Sequence, residues 1–286
     1  MALTMMKMNT IRVLLSLAAN LNWPLKQFDV KNAFLHGELV EEVYMDLPPG
    51  YKTAPSGNFV CRLRKSLYGL KQSPRAWFGR FSQFMRKIGY KQSNSDHTLF
   101  LKHQQGRVTA LIIYVDDMVV TGNDTIEMDR LQKQLATEFE MKDLGTLKYF
   151  LGIEVARGSE GIYLCQRKYI LDLLTETCML DCTPIDTPIE QNHRLAEYPD
   201  QVPTDKPRYQ RLVGRLIYLA HTRPDVAYAV SVVSQFMHNP SVDHMDAVVR
   251  ILRYLKSAPG RGVMFSRHNN ILEVCGFTDA NCAGNI

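Results

Sequence analysis

The chain has 286 residues, of which 45% are hydrophobic and 22% charged, with a formal net charge of +5. This length and apolar content suffice to bury a sizeable core and exclude an intrinsically disordered chain. The six cysteines form no C-x-x-C pair, which argues against a zinc site and indicates reduced thiols inside a cell. No apolar run approaches the ~20 residues that cross a bilayer. We therefore expect a globular intracellular protein without a membrane segment, in either the cytoplasm or the nucleus.

The positive charge is concentrated in one stretch, because no acidic residue lies between Asp46 and Asp96. The basic residues of this stretch are Lys52, Arg62, Arg64, Lys65, Lys71, Arg75, Arg80, Arg86, Lys87 and Lys91. Such a block is typical of a surface that binds a polyanion. It also fits a solvated face that is balanced by carboxylates elsewhere in the fold. Charge alone does not decide between the two.

The first half of the chain alternates helical and strand-like patterns. Apolar residues at helical spacing predict a helix over residues 9–21, closed by Pro24, and a second helix that opens at Pro74. Alternating apolar residues and turn signals predict strands at residues 25–30, 42–45, 59–63, 98–102 and 108–114. Asp124 and Glu127 have the spacing of a capping box at the start of a third helix.

The second half is predominantly helical. A hairpin is expected near residues 158–161, followed by helices around residues 170–174, 209–219, 226–236 and 245–255. A proline-rich linker at residues 183–207 separates the first of these helices from the rest. The whole pattern predicts an α+β body to about residue 156 with a helical appendage after it.

Two adjacent carboxylates, Asp116 and Asp117, interrupt a pair of apolar strands. Ionised carboxylates beside buried strands are unfavourable unless something positive satisfies them, and a divalent metal is the simplest solution. The alternative is a solvated hairpin turn, where aspartate is common because its side chain bonds nearby backbone. For an isolated pair of aspartates, the turn would be the better interpretation.

Several ordered segments resemble those of reverse transcriptases from copia-type retrotransposons. YVDD at residues 114–117 resembles the YxDD signature, and QFDVKNAFLHG at residues 27–37 resembles the first catalytic motif of these enzymes. Between them, SLYGLKQSPR at residues 66–75 is similar to the SLYGLKQ-x-PR segment that distinguishes copia-type elements. FEMKDLG at residues 139–145 and YFLGIE at residues 149–154 fit the same pattern. This context favours the metal site over the simple turn.

The resemblance implies an α+β fold, namely a right-hand polymerase with palm, fingers and a helical thumb. Residues 1–157 would form the palm and part of the fingers, residues 158–260 the helical thumb and connection, and residues 261–286 the start of a ribonuclease H domain. The implied function is RNA-directed DNA polymerisation on an RNA or DNA template. Its partners would be that template, a primer and deoxynucleoside triphosphates. The oligomeric state does not follow from the sequence.

The resemblance also implies the catalytic residues. Asp29 and Asp116 would come together to hold two Mg²⁺ ions, with Mn²⁺ as an alternative, and Asp117 would be a supporting catalytic carboxylate. In two-metal phosphoryl transfer, one ion activates the primer 3′-hydroxyl and the other stabilises the departing pyrophosphate.

Further residues are implied to bind the nucleotide and the nucleic acid. The family pattern places Phe34 beneath the sugar as a steric gate against ribonucleotides. The other implied nucleotide-binding residues are Val30, Asn32, Ala33, Tyr68 and Gly69. Leu151 and Gly152 resemble the primer grip. The segment at residues 209–219 resembles the thumb helix that tracks the duplex, with Gln210, Gly214 and Tyr218 on one face. Gly214 could equally permit close helix packing.

The chain departs from complete family members at both ends, so we expect a truncated polymerase. Basic finger strands would precede residue 9, and GFTDA at residues 276–280 resembles only the opening strand of ribonuclease H. Ribonuclease H activity is therefore not expected. The alternative function is a catalytically inactive retrotransposon remnant, at most a nucleic-acid-binding module.

Overall fold

The computed structural model describes residues 7–51 and 59–267. The α-helices within these residues are α1 Met8–Asn20, α2 Ser73–Lys87, α3 Thr125–Glu138, α4 Arg167–Glu176, α5 Lys206–Leu219, α6 Ala227–Ser234 and α7 Val242–Ser257. The strands are β1 Leu25–Val30, β2 Glu38–Asp46, β3 Val60–Lys65, β4 Lys91–Gln92, β5 Leu99–Gln104, β6 Arg107–Tyr114, β7 Asp117–Gly122, β8 Met141–Thr146, β9 Tyr149–Phe150, β10 Ile153–Gly158, β11 Gly161–Cys165 and β12 Gly262–Ser266.

An antiparallel sheet with the strand order β4-β5-β6-β7-β1-β8 organises the first half. Successive side chains of a strand point to opposite faces, and both faces of this sheet are covered. Leu111 and Ile113 of β6 pack in a cluster with α2 and α3. Ala110 and Ile112 pack on the other face with α1. Burial on both sides explains why β6 and β7 read as nearly continuous apolar runs.

A second sheet, with the order β12-β11-β10-β9, shares the apolar cluster of α1. Arg157 of β10 ties this sheet to the end of α1, because its guanidinium donates to the carbonyl of Ala18 at 3.1 Å and to Oδ1 of Asn22 at 2.9 Å. Strands β2 and β3 form a separate two-stranded sheet. The remaining core, built by α4 to α7, is a distinct helical cluster.

The structure has an α/β mixture of helices and antiparallel sheets, as the sequence predicts. Strand β1 has the predicted bounds, and the predicted helices of both halves are present. Strands β4, β8, β9 and β12 were not predicted. The expected division after residue 157 falls within β10, and the division into three domains stays a prediction. The ribonuclease H-like segment at residues 276–280 lies outside the described residues. Among the described helices, none combines the length and apolarity that a bilayer crossing requires.

The predicted capping box of α3 is formed only in its first half. Asp124 accepts a hydrogen bond from the Glu127 amide at 3.1 Å. The Glu127 carboxylate instead turns inward, where it accepts from Lys102 Nζ at 2.7 Å and from the Tyr90 hydroxyl at 3.3 Å. Both charged side chains are buried, with 9% and 6% exposed. A buried ion pair has replaced the reciprocal cap because Lys102 of β5 brings its ammonium beneath α3.

Lys102→Met is expected to lower the free energy of unfolding by about 3 kcal/mol or more, because the buried Glu127 would keep only a long ion pair with Arg130, at 3.9 Å. Urea denaturation measures this difference. The matched control is Lys26→Met, since Lys26 Nζ lies 2.7 Å from Asp129 Oδ1 at a more exposed pair. That variant should lose less than about 1 kcal/mol. Equal losses for the two variants would contradict a structural role for the buried pair.

Candidate active site

The pairing of β1 with β7 brings together the acidic residues of two distant motifs. In this antiparallel register Asp29 lies directly opposite Asp117. Asp116 occupies the turn between β6 and β7, and its carbonyl accepts a hydrogen bond from the Val30 amide at 2.9 Å. Opposed residues of an antiparallel pair have their side chains on the same face. The three carboxylates therefore gather at one end of the sheet.

These carboxylates repel one another. Partial burial raises the pKa of Asp29, repulsion from Asp116 raises it further, and Lys142 opposes the rise. Burial likewise raises the pKa of Asp117, against a hydrogen bond from Gln27 and together with repulsion from Asp116 and Asp29. Like charges held close in a partly buried site disfavour ionisation. A bound cation would relieve this repulsion.

The turn that carries Asp116 is strained. Val115 has a φ of +56°, which is unfavourable for a β-branched residue. Its carbonyl accepts a hydrogen bond from Trp77 Nε1 of α2 at 2.7 Å. Backbone strain of this kind persists only when surrounding contacts enforce it, and it clusters at functional sites. Trp77 thus helps to hold the aspartates in place.

An aromatic pair stands beside the carboxylates. The ring centroids of Phe34 and Tyr68 are 4.4 Å apart, and Ser66 Oγ donates to the Phe34 carbonyl. Burial raises the pKa of Tyr68, and the charges of Asp116 and Asp29 raise it further. The Tyr68 hydroxyl is therefore near the acidic cluster. The structure brings the predicted gate residue and its neighbour to the same place as the predicted metal ligands.

The other predicted nucleotide-binding residues surround this pair. Asn32 has a left-handed conformation and precedes a short 3-10 helix, Ala33–His36. Val30 and Ala33 are buried, and the Val30 amide is already used by Asp116. Gly69 has a φ of +92°, a conformation that favours glycine. Of the backbone groups expected near phosphates, those of Asn32 and Ala33 stay proposals.

The residues predicted to contact nucleic acid have different surroundings in the structure. Tyr218 donates its hydroxyl hydrogen to the Leu151 carbonyl, so α5 meets the turn that contains Leu151 and Gly152. Gln210 Nε2 donates to the Met237 carbonyl at 2.8 Å and is therefore bound within the helical cluster. Gly214 is exposed, and apart from its chain neighbours and the backbone of its own helix, no heavy atom of the described residues lies within 4 Å of a Cβ added there. Within the described residues no other helix packs closely on Gly214, and a contact of Gly214 with nucleic acid stays a prediction.

The fit of the acidic cluster to a metal rests on its donor chemistry. Within the described residues, no group of three or more His, Cys, Asp and Glu side chains is placed to hold a metal ion by itself. Mg²⁺ is commonly held by one or two carboxylates together with substrate phosphates, and not by an all-protein cage. Asp29 and Asp116 supply hard oxygen ligands whose mutual repulsion a cation would remove. Asp29 and Asp116 therefore fit a divalent cation whose remaining ligands the phosphates of a substrate would supply.

Sequence reasoning assigned no role to two residues of the site. Lys142 lies opposite Asp29 across the β1–β8 pair, where its charge opposes the rise in the Asp29 pKa. Trp77 packs in the core between α2 and the main sheet, and its indole also holds the strained turn. Valine in a two-residue hairpin turn, where Asn or Gly is usual, was the available signal for that strain.

Carboxylates gathered at one end of an antiparallel sheet are what metal-assisted phosphoryl transfer requires. Residues 2–191 match the family described as Reverse transcriptase (RNA-dependent DNA polymerase). The chain therefore belongs to the reverse transcriptase family, and its resemblance to copia-type elements is confirmed.

The relatives include proteins of plants and yeast. The Retrovirus-related Pol polyprotein from transposon RE1 of Arabidopsis thaliana is 44% identical over 97% of this chain and 19% of its own length. The corresponding polyprotein from transposon TNT 1-94 of Nicotiana tabacum is 41% identical over 98% of this chain and 22% of its own length. A putative transposon Ty5-1 protein of Saccharomyces cerevisiae is 32% identical over 79% of this chain and 74% of its own length. The chain thus spans about a fifth of the two polyproteins.

Asp117→Asn is expected to stabilise the chain at pH 7. A carboxyl group whose pKa is raised by folding lowers stability above that pKa, and this cost disappears below the ordinary value of about 3.9. The gain should be no more than about 1 kcal/mol at such a partly exposed site, and it should shrink as the pH falls toward 4. Urea denaturation across this pH range measures it, with exposed Asp200→Asn as the control. A variant that is less stable than wild type at pH 7 would contradict the repulsion.

Proposed function

We propose that the chain carries an RNA-directed DNA polymerase site that transfers a nucleotide onto a primer 3′-hydroxyl with two divalent ions. The observation that supports this most is the meeting of Asp29 with Asp116 and Asp117 through the β1–β7 pair. Family membership supplies the reaction class. The substrates are a primer on an RNA or DNA template and deoxynucleoside triphosphates.

In the proposed mechanism Asp29 and Asp116 hold Mg²⁺, or Mn²⁺ in its place. When bound, the ions activate the attacking hydroxyl and neutralise the charge of the triphosphate. Asp117 supports this arrangement from the neighbouring strand. The charge of Lys142 opposes the rise in the Asp29 pKa and so favours the ionised form of that carboxylate.

The proposed nucleotide pocket lies between the acidic cluster and the Phe34–Tyr68 pair. The backbone groups of Asn32 and Ala33 would face the phosphates, and the Phe34 ring would occupy the space that a ribose 2′-hydroxyl needs. A clash of this kind excludes ribonucleotides without adding affinity for deoxynucleotides. Tyr68 packs against the Phe34 ring, with the ring centroids 4.4 Å apart.

The proposed nucleic-acid path runs over the palm and a helical thumb. In this assignment residues 1–157 are palm and partial fingers, and residues 158–260 are thumb and connection. Gly214 leaves open space on the exposed face of α5, which would allow a nucleic-acid backbone to approach.

The basic block between Asp46 and Asp96 is only partly neutralised within the described residues. Arg62 pairs with Glu42, and Arg80 pairs with Glu138. The exposed basic side chains without an ion pair inside the described ranges are Arg64, Lys65, Lys71, Arg75, Arg86, Lys87 and Lys91.

Asp29→Asn or Asp116→Asn is expected to reduce primer extension by about a thousandfold, because each removes a charged ligand that stabilises the reacting groups. Extension of a DNA primer on a homopolymer RNA template, with Mg²⁺ or Mn²⁺, measures the loss. Duplex affinity should stay within about twofold of wild type, since phosphate contacts dominate binding. Asp129→Asn, which changes a surface pair with Lys26, is the control. Duplex binding without extension by the wild-type chain would instead favour the inactive remnant.

Phe34→Val is expected to raise ribonucleotide incorporation relative to deoxynucleotide incorporation by about ten- to a hundredfold, because it removes a clash in the sugar pocket. The ratio of kcat/KM values for the two nucleotide types measures this change. Phe34→Tyr keeps the ring and should keep the wild-type ratio. Unchanged discrimination in Phe34→Val would remove the gate assignment.

A further inference from the structure

The segment that follows α4 repeats one short pattern. Residues 183–190 read TPIDTPIE, so Thr183 and Thr187 each precede a proline. Both threonines are exposed, and residues 183–190 form neither helix nor strand. Ser73 also precedes a proline, but it is buried and donates its hydroxyl hydrogen to the Leu67 carbonyl. A residue before proline favours an extended backbone, so the two threonine hydroxyls are accessible to an enzyme that binds extended chains.

The Thr187 hydroxyl lies against a guanidinium of α7. Arg250 Nη2 donates to Thr187 Oγ1 at 3.0 Å, and its Nη1 donates to Glu190 Oε1 at 3.0 Å. The third nitrogen of Arg250, Nε, is buried and has no hydrogen-bond partner within the described residues. Nε and Nη2 share one edge of the planar guanidinium, and such an edge binds two oxygens of a phosphate group at once. The Thr187 oxygen therefore lies at an edge that has one donor left over.

A cavity of about 400 Å³ adjoins Arg250. Its titratable and charged lining residues are Glu190, His193, Arg194, Asp243, Asp246, Arg250 and Arg253. The buried Nδ1 of His193 also has no partner within the described residues. The cavity carries three arginines and three carboxylates, so its net charge does not select an anion. The selective feature is the paired edge of Arg250, which an anion attached to Thr187 would reach.

We propose that Thr187 is a phosphorylation site for a proline-directed protein kinase, and that Arg250 binds the phosphoryl group. In this reaction Thr187 Oγ1 bonds to the γ-phosphorus of ATP while the bond from that phosphorus to ADP breaks, and the hydroxyl proton passes to the catalytic carboxylate of the kinase. The product carries a charge of about −1.5 to −2 at pH 7. Nε and Nη2 of Arg250 then donate to two of its oxygens. The modification does not depend on the proposed polymerase activity.

The phosphoryl group would fasten this segment to α7. The attachment already includes a hydrogen bond from Arg253 Nε to the Thr183 carbonyl at 2.9 Å. Charge-assisted hydrogen bonds are roughly twice as strong as neutral ones, so the phosphorylated segment should open less often. Amide hydrogen exchange at residues 189–192 should consequently slow about three- to tenfold.

The first experiment measures whether a kinase reaches Thr187 in the folded protein. The whole chain and a peptide of residues 180–193 are each incubated with a mitogen-activated protein kinase, ATP and Mg²⁺, and mass spectrometry locates the phosphate. Thr187 in the chain should react at no less than about a tenth of its rate in the peptide, since an exposed loop opens at little cost. Ser73 is the internal control and should stay unmodified.

The second experiment follows the phosphate by ³¹P nuclear magnetic resonance during a pH titration. The Arg250 cation favours the dianion, so the second pKa of the phosphate on Thr187 should be lower than in the peptide by about half a unit or more. Arg250→Gln should remove this difference and the slower amide exchange. The phosphate on Thr183 is the matched control, because its pKa should not change in Arg250→Gln. Arg250→Lys, which keeps the charge without the paired edge, should give an intermediate value.

Several results would overturn the proposal. One is a kinase that modifies the peptide but leaves Thr187 of the chain unmodified, and another is a kinase that modifies neither. A phosphate on Thr187 whose pKa matches the peptide value, or whose lowered pKa persists in Arg250→Gln and Arg250→Lys alike, would remove Arg250 as the binding group. These outcomes are independent of primer extension by the chain.

Discussion

The antiparallel pairing of β1 with β7 is the constraint on which the site depends. It puts Asp29 opposite Asp117 and beside Asp116, so three carboxylates share one end of a sheet although two different motifs supply them. Their repulsion and partial burial raise the pKa values of Asp29 and Asp117. A cluster of this kind lowers the stability of the protein, and a bound cation would relieve the repulsion. Such a trade of stability for activity is common at functional sites.

Helix α2 and the segment that leads into it connect the acidic cluster with the Phe34–Tyr68 pair. Trp77 of α2 donates to the Val115 carbonyl and holds the strained hairpin turn. The segment that leads into α2 carries Ser66, which bonds the Phe34 carbonyl, and Tyr68, which packs on the Phe34 ring. The copia-type segment at residues 66–75 therefore has a structural role beyond any contact with substrate. Its contacts fix the position of the Phe34–Tyr68 pair relative to the aspartates.

Local patterns in the sequence predicted most of the fold. Apolar spacing was sufficient for the helices and for β1, because those signals lie within a single element. Strand β12 was missed because its partner, β11, is distant in sequence and a five-residue segment carries little periodicity of its own. The capping box of α3 was half wrong because Glu127 found a buried lysine on another strand. Tertiary partners of this kind cannot be read from spacing.

The sequence identified most residues of the candidate site but few of the contacts among them. The family motifs pointed to Asp29, Asp116, Phe34 and Tyr68, and the structure brings these residues together. Lys142 was missed as a partner of Asp29 because cross-strand neighbours depend on register. The helical spacing of α5 identified the face of Tyr218 but gave no sign of its bond to Leu151.

The central claim is that Asp29 and Asp116 hold the catalytic ions, and direct counting of bound metal tests it most closely. Mn²⁺ can be titrated by electron paramagnetic resonance into the chain bound to a primer-template and a non-hydrolysable deoxynucleotide analogue. The account predicts about two ions per chain beyond those bound by the nucleic acid and analogue alone. It further predicts that this excess disappears in Asp116→Asn. An excess that is absent in wild type, or that persists undiminished in Asp116→Asn, would contradict the account.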